Sequence, residues 1–214
     1  LYCRTATSHG VNVQRLEVDY GAGIPASAIE ERLHLDKERQ IKAVLVVQTE
    51  TSTGVTSSLT AVRDAIDAAA HPALLLADVV SSLGCTELRF DEWRLDVALT
   101  ATQKGLMLPP GMARLAVREK ALQANRSAKC ARSFWDWQAV LESNANGNFP
   151  YTPATSLLLG LNESLKMLFE EGLDNVFLRH ARLAEACRRA VEATGLKLFA
   201  QNAGHFEGQR LLLP

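Results

Sequence analysis

The fold of this chain is decided by residues 74–111, which read LLLADVVSSLGCTELRFDEWRLDVALTATQKGLMLPPG. A run of apolar residues leads into Asp78, a pattern typical of a strand buried on both faces. The carboxylate of Asp78 should therefore emerge at the carboxyl end of that strand, the edge at which open α/β sheets bind ligands. A second apolar strand, Val97 to Ala101, is followed by Lys104 and then by a stiff turn that contains two prolines. Asp78 and Lys104 are the candidate chemical residues of the stretch.

Asp78 and Lys104 together suit one kind of cofactor. Taken alone, an aspartate at a strand end is more often a turn or cap residue, and a lysine after a strand is more often solvated. A lysine held between a strand and a stiff turn can be desolvated, which makes its amine a nucleophile toward a carbonyl. An aspartate nearby can stay ionised against a protonated ring nitrogen. This pairing is what pyridoxal phosphate (PLP) requires of a protein.

Composition narrows the classes of protein that this chain can represent. With 214 residues, 47% hydrophobic and 22% charged, the chain can bury a sizeable core. The net charge is −1 and the sequence has no run of basic residues, so binding to nucleic acid or to an anionic membrane is not indicated. No stretch reaches the ~18 apolar residues that a membrane-spanning helix needs. The four scattered cysteines predict reduced thiols in a cytoplasmic protein rather than disulfides or a metal site.

The remaining pattern alternates strands with helices. Alternating apolar residues predict a half-buried strand over Val11 to Val18, and residues 134–148 are predicted to be irregular. This βαβ rhythm, without a GxGxxG turn, predicts an α/β fold with a mostly parallel sheet flanked by helices and disfavours a dinucleotide fold. Other strands are predicted at Ile41–Val47, Leu74–Asp78, Val97–Ala101, Ala113–Val117 and Leu196–Ala200, and helices at Pro25–His34, after Ser57 or Ser58, at Arg118–Ala128 and twice after residue 153.

Four pieces of the sequence resemble the class V aminotransferases, most closely the serine–glyoxylate and alanine–glyoxylate branch. The pieces are ETSTGV (50–55), LLLADVVSSLG (74–84), ATQKGLMLPPG (101–111) and FPYTPAT with the helical segments after it (149–180). The resemblance runs from near residue 11 to about residue 200 and implies the large domain of a fold type I PLP-dependent transferase, truncated at both ends. It implies a PLP-binding domain over 1–153, helices linking the large and small domains over 154–194, and the start of a small domain over 195–214.

The resemblance also implies a role for individual residues. Lys104 would attach covalently to PLP and act as the base, and Asp78 would pair with the ring nitrogen. Where this chain has Gln48, the family more often has histidine. No metal is implied. The other implied contacts are Val80 against the ring face, Gln103 on the phosphate, Ser52 and Thr53 near the ring oxygen, and Tyr151 and Thr152 reaching the neighbour's phosphate across a homodimer.

The activity implied by the resemblance is transfer of an amino group from serine or alanine to glyoxylate. The small-residue loop that cradles the phosphate would precede residue 1, and the arginine for the substrate carboxylate would follow residue 214. We therefore expect the 214-residue chain to be inactive by itself, to bind PLP weakly and to expose apolar residues such as Leu161 and Leu168.

Three other functions stay open at the level of sequence. A cysteine desulfurase also uses an aspartate and a lysine on PLP, but the residue before its lysine is typically histidine, and here it is Gln103. A PLP-independent lyase that acts through a Schiff base on Lys104 would leave Asp78 without a role. A non-catalytic remnant that serves only for association is supported by the apparent truncation, and a cofactor-binding measurement separates it from the enzymes.

Overall fold

The computed structural model describes residues 2–200, which form an alternating series of helices and strands. The strands are β1 Ala43–Val47, β2 Leu74–Asp78, β3 Val97–Ala101 and β4 Ala113–Val117. The helices are α1 Tyr2–Ser8, α2 Ala26–Leu35, α3 Leu59–Ala68, α4 Glu119–Ser127, α5 Trp137–Ala145, α6 Thr155–Glu171 and α7 Leu173–Ala193.

The four strands form one sheet in the order β1-β2-β3-β4. Strands β1, β2 and β3 are parallel, and β4 runs antiparallel to β3. The register places Val46 beside Ala77 and Ala77 beside Ala98, so these three side chains share one face of the sheet. The predicted α/β fold with a mostly parallel sheet is confirmed.

Helices α2 and α3 cover that face and form the main core with it. The apolar face of α3 repeats Leu59, Val62 and Ile66, each at most 2% exposed. Burying a side chain of this size stabilises a fold by about 1.5–3 kcal/mol. The helix begins at the predicted cap, since the Ser58 hydroxyl accepts a hydrogen bond from the Ala61 N–H at 3.1 Å.

The opposite face of the sheet is only partly covered. Strand β2 was expected to be buried on both faces, yet Leu74 and Leu76 are half-buried, while Leu75 and Ala77 on the core face are buried. Leu45 in β1 is 45% exposed. The expectation is wrong for residues 2–200, because α2 and α3 pack on one face and the described chain offers less cover to the other.

A buried charge cluster lies at the amino edge of the sheet, away from the carboxyl ends of the parallel strands. The Asp96 carboxylate, with 3% of its side chain exposed, lies 3.7 Å from guanidinium nitrogen Nη1 of Arg63 and 3.7 Å from Nζ of Lys120. It also accepts the Leu75 N–H at 2.8 Å. Two cations and a backbone N–H thus compensate a carboxylate that water does not reach.

A second, smaller core joins the last two helices to the loop after β3. Leu106 packs there with Leu161 and Leu168 of α6 and Val176 of α7, and all four are buried. The expected exposure of Leu161 and Leu168 is therefore wrong. The large apolar side chains that α6 exposes are Leu159, Leu165, Met167 and Phe169.

Three local predictions differ from the structure. Residues 11–18 form no strand, and Val11, Leu16 and Val18 are 46%, 45% and 40% exposed, because alternation alone supplies no pairing partner. Residues 196–200 form no strand either, and the rest of the predicted small-domain segment, 201–214, lies outside the described residues. The interval 134–148 is more regular than predicted, since it contains α5.

Two general features accompany this fold. Each helix within residues 2–200 is too short or too polar to cross a membrane. All four cysteines are free, with Cys85 half-buried and Cys3, Cys130 and Cys187 exposed.

Candidate active site

The parallel strands bring their carboxyl ends to one edge of the sheet. Val47 pairs with Asp78 and Asp78 pairs with Leu99, so the loops after β1, β2 and β3 leave the sheet from neighbouring positions. This is the edge at which α/β sheets bind ligands. The predicted site residues carried by these strands and loops are Ser52, Thr53, Asp78, Val80, Gln103 and Lys104.

Asp78 is the half-buried last residue of β2, and both of its carboxylate oxygens accept a hydrogen bond. Oδ1 accepts the Val80 N–H at 2.8 Å, and Oδ2 accepts the hydroxyl of Tyr2 at 2.5 Å. The two bonds fix the orientation of the carboxylate at the end of the strand. Sequence reasoning missed Tyr2, because no local pattern links it to a residue 76 positions away.

The pKa of the Tyr2 hydroxyl lies far above its ordinary value. Burial is the largest cause, and the hydrogen bond to Asp78 and the negative charge of that carboxylate raise the pKa further. At neutral pH the hydroxyl therefore remains protonated and acts as the donor to Asp78.

The backbone of the loop that carries Lys104 is held by several hydrogen bonds. Thr102 is fully buried and donates its hydroxyl to the Pro109 carbonyl at 2.8 Å, and the Lys104 carbonyl accepts the Met107 N–H at 2.8 Å. Helix α6 adds a further tie, because the Ser164 hydroxyl donates to the Leu106 carbonyl at 2.6 Å. The stiff turn predicted from the prolines is thus also fastened to a helix.

The side chains of Lys104 and Gln103 are exposed within the described chain. The expected desolvation of Lys104 is therefore wrong for this structure, because the loop stands at the outer end of β3 and residues 2–200 leave its tip open to solvent. A ligand seated at the sheet edge would have direct access to the Lys104 amine.

The loops after β2 and β3 meet backbone to backbone. A Cβ placed on Gly105 would lie 2.3 Å from the Leu83 carbonyl oxygen and 2.8 Å from Sγ of Cys85, and one on Gly84 would lie 2.9 Å from the Gly105 carbonyl oxygen. Only glycine permits this approach without a shift. Because Gly105 directly follows Lys104, the contact holds the lysine loop against the loop that leaves Asp78.

The Cys85 thiol at this junction is half-buried, and burial raises its pKa. The nearby positive charge of Arg179 opposes that rise without cancelling it. Cys85 therefore stays a neutral thiol that fills the junction, and its surroundings do not favour a nucleophilic thiolate.

Several polar groups of the hydroxyl-rich loop after β1 form hydrogen bonds within that loop. Both the backbone N–H and the hydroxyl of Ser52 donate to the Glu50 carboxylate, at 3.0 and 2.9 Å, and these bonds hold the pKa of that carboxyl below its usual range. The hydroxyl of Thr53 accepts a backbone N–H within the same turn at 3.2 Å. The hydroxyls of Thr51 and Ser81 lie 2.6 Å apart and connect this loop to the one after β2.

Gln48 is a structural residue that sequence reasoning did not explain. It is 2% exposed, its side-chain oxygen accepts the Ser82 hydroxyl at 2.6 Å, and its backbone N–H donates to the Asp78 carbonyl at 2.9 Å. Gln48 thus ties the end of β1 to the turn that follows Asp78.

Tyr151 and Thr152 lie in the segment that precedes α6. Both are exposed, and residues 2–200 show no hydrogen bond from either side chain to Asp78, Gln103 or Lys104. The Tyr151 ring instead lies 4.8 Å from that of Phe134, measured between ring centroids. The predicted contact of these residues crosses a subunit boundary and stays a prediction.

The sheet edge therefore presents a fixed carboxylate, an accessible amine and a set of hydroxyls. A carboxylate of this kind can hold a proton on a ring nitrogen, and an accessible amine can react with a carbonyl. The arrangement suits a ligand that carries both groups.

Comparison with protein families gives a match over almost the whole chain. The model for the aminotransferase class-V family matches residues 2–205. The serine–glyoxylate aminotransferase of Methylorubrum extorquens is 49% identical over 207 residues, which cover 94% of this chain and 52% of that relative. The L-aspartate–glyoxylate aminotransferase of Paracoccus denitrificans is 47% identical over 192 residues, which cover 90% of this chain and 48% of that relative.

Solved structures show the same architecture. The ureidoglycine–glyoxylate aminotransferase of Bacillus subtilis superposes with a TM-score of 0.83 at 31% identity, over 94% of this chain and 51% of that one. The chain thus spans about half the length of the relatives that it matches.

Proposed function

Because this chain belongs to the class V aminotransferases, we propose that a full-length enzyme containing it transfers an amino group from a small amino acid, serine or alanine, to glyoxylate, and that the 214-residue chain alone does not. One observation carries the proposal: the three relatives described above, each from a different organism, are all glyoxylate aminotransferases, while their amino donors differ. The acceptor is therefore better supported than the donor.

Pyridoxal phosphate is the cofactor that this family membership implies, and the donor set at the sheet edge fits it. The carboxylate of Asp78 suits a protonated ring nitrogen, and the amine of Lys104 suits the cofactor's carbonyl carbon. When bound, PLP supplies an aromatic ring that accepts the electron pair left on the substrate α-carbon.

We assign the acid–base work of the reaction to two side chains. The Asp78 carboxylate, held through Oδ1 by the Val80 N–H, would keep a proton on the ring nitrogen of the bound cofactor. The Lys104 amine would hold the cofactor and, when free, would accept the proton from the substrate α-carbon. Its exposure at the sheet edge supports this role, since a substrate can reach it.

The remaining cofactor contacts are proposed from the positions of the loops. Val80 and the hydroxyl-rich loop lie at the same edge as Asp78, while Tyr151 and Thr152 would act across a homodimer interface. Phe134 packs against Tyr151 and Trp135. Phe134 and Trp135 are 62% and 72% exposed, which suits a surface covered by a partner subunit. The proposed contacts are Val80 on the ring face, Gln103 on the phosphate, Ser52 and Thr53 near the ring oxygen, and Tyr151 and Thr152 on the partner's phosphate.

We also propose the domain organisation and compartment predicted from the sequence. Residues 1–153 would belong to the PLP-binding domain, 154–194 would link it to a small domain, and 195–214 would begin that domain. The separate core around Leu161 and Val176 supports a distinct role for the helices of the linking segment. Four free cysteines support a cytoplasmic location.

The test of the proposal is to trap the cofactor on its lysine. Borohydride reduction of a full-length enzyme that contains this chain, in the presence of PLP, followed by peptide mass mapping, should place the pyridoxyl group on Lys104. Lys120 and Lys129 serve as internal controls, and a label on either of them instead would contradict the assignment.

A screen of amino donors with glyoxylate as acceptor then tests the activity. Serine and alanine should give glycine and the matching oxo acid faster than other donors. Release of sulfide from cysteine without an oxo acid would point instead to a desulfurase.

A further inference from the structure

The hydrogen bond between Tyr2 and Asp78 gives the site a feature beyond the proposed cofactor contacts. Tyr2 begins helix α1 and is half-buried, and its hydroxyl donates to Oδ2 of Asp78 at 2.5 Å. The other oxygen, Oδ1, already accepts the Val80 N–H. Each carboxylate oxygen thus has one donor: Oδ1 has the backbone of its own loop, and Oδ2, the oxygen proposed for the ring nitrogen, has the hydroxyl of Tyr2.

The Tyr2 bond is of a strong type. A hydroxyl that donates to a carboxylate forms a charge-assisted hydrogen bond, and a separation of 2.5 Å lies at the short end for this pair. Both residues are partly shielded from water, which strengthens the electrostatic attraction. Releasing the hydroxyl from Oδ2 therefore has a measurable cost.

We propose that Tyr2 is a positioning residue that occupies Oδ2 of Asp78 before the cofactor binds and gives up that oxygen to the ring N–H of PLP. The inference rests on the proposed function, since it concerns the same carboxylate. One donor replaces another, so Asp78 stays ionised and oriented both before and after binding. The exchange opposes cofactor binding, because the bond between Tyr2 and Oδ2 is lost when the ring N–H takes its place.

The test removes only the hydroxyl, with the variant Tyr2→Phe. PLP binding is measured by the absorbance change on mixing, which gives the association rate and the dissociation constant without any turnover. We expect Tyr2→Phe to bind PLP at least about tenfold more tightly than the wild type, the lower end of the factor that corresponds to one lost hydrogen bond to a charged group. Equal or weaker binding by Tyr2→Phe would overturn the inference.

Two comparisons show whether the effect runs through Asp78. Tyr20→Phe removes a tyrosine hydroxyl at the same edge that donates to Ser52 at 2.8 Å, and it should change PLP affinity by a smaller factor than Tyr2→Phe does. In an Asp78→Asn background, Tyr2→Phe should lose most of its effect, because the charged acceptor is gone. An equal effect of Tyr2→Phe in both backgrounds would contradict a role through the carboxylate.

A measurement without cofactor tests the contact itself. Alkaline absorbance titration of the wild-type protein should reveal one tyrosine that ionises at higher pH than the others, and Tyr2→Phe should lack it. Ionisation of all three tyrosines together would show that the Tyr2 bond does not form in solution.

The two proposals fail in different ways. If Lys104 of the wild type is labelled with PLP but Tyr2→Phe binds no more tightly, the inference fails and the proposed function stands. If the wild type takes up no PLP at Lys104, the proposed function fails and the inference fails with it.

Discussion

Replacing Gly105 by alanine should disturb the site more than its small size suggests. The new Cβ would lie 2.3 Å from the Leu83 carbonyl oxygen, which is 1.1 Å short of the 3.4 Å at which ordinary contact begins. The obstacle is backbone rather than a flexible side chain, so one of the two loops must move by about that distance. Overpacking of this kind destabilises a protein by about 1–3 kcal/mol. A displacement of about 1 Å beside a reacting group can slow a reaction by about 100-fold.

Two assays follow the Gly105→Ala variant. Urea unfolding should show a lower free energy of unfolding, and the rate at which PLP becomes trapped on Lys104 should fall. Gly23→Ala is the matched control, because a Cβ there would meet its nearest atom, the Thr56 carbonyl oxygen, at an ordinary 3.5 Å. If Gly105→Ala matched Gly23→Ala in both assays, the close contact between the two loops would not exist in solution.

Three further predictions concern single side chains. Asp78→Asn should still bind PLP but lose at least tenfold in transamination rate, about 1.4 kcal/mol of barrier, and activity within a few-fold of the wild type would remove Asp78 from its role. Asp96→Asn should lower the free energy of unfolding by about 1–3 kcal/mol, because it removes the negative charge that faces Lys120 and the buried Arg63, although Asp67 still pairs with Arg63 at 2.7 Å; Glu92→Gln at an exposed pair should leave the urea midpoint unchanged. Burial raises the pKa of the Cys85 thiol, so less of it is thiolate at a given pH. Iodoacetamide should therefore label Cys85 last of the four cysteines, and the labelling rate of Cys85 should keep rising at alkaline pH. Early labelling of Cys85, detected by peptide mapping, would contradict its burial.

Sequence patterns predicted the strands of the sheet well where burial gave them a clear signature. The bounds of β2, β3 and β4 agree with the predictions, because short runs of apolar residues between turn signals leave few alternatives. The same reasoning failed for Val11 to Val18, since alternation describes a strand only when a neighbour is available to pair with it. It also missed α5, although Asp136 was a usable signal: its side chain caps the helix by accepting the Gln138 N–H at 3.1 Å.

The candidate site was predictable as a set of residues but not as a set of contacts. Asp78 and Lys104 could be identified because each follows a strand and because the pair suits one chemistry. The bonds made by Tyr2 and Gln48 could not, since they depend on how distant segments pack. The exposure of the Lys104 side chain could not be predicted either. The prolines predict that its loop is stiff, but whether the rest of the protein encloses that loop depends on distant segments.

The order of the strands has a consequence for how the polypeptide acquires its structure during synthesis. Strand order in the sheet follows chain order, so each strand from β2 onward pairs with the strand translated immediately before it. From β2 onward, none of the four strands has to wait for a later segment to supply its first partner, and successive partners are separated by 26 residues (48–73) or fewer. We expect β1, α3 and β2 to associate first as the chain leaves the ribosome, with β3 and β4 added in turn. The edge that carries Asp78 and Lys104 would then be assembled before the helices α6 and α7 have been made.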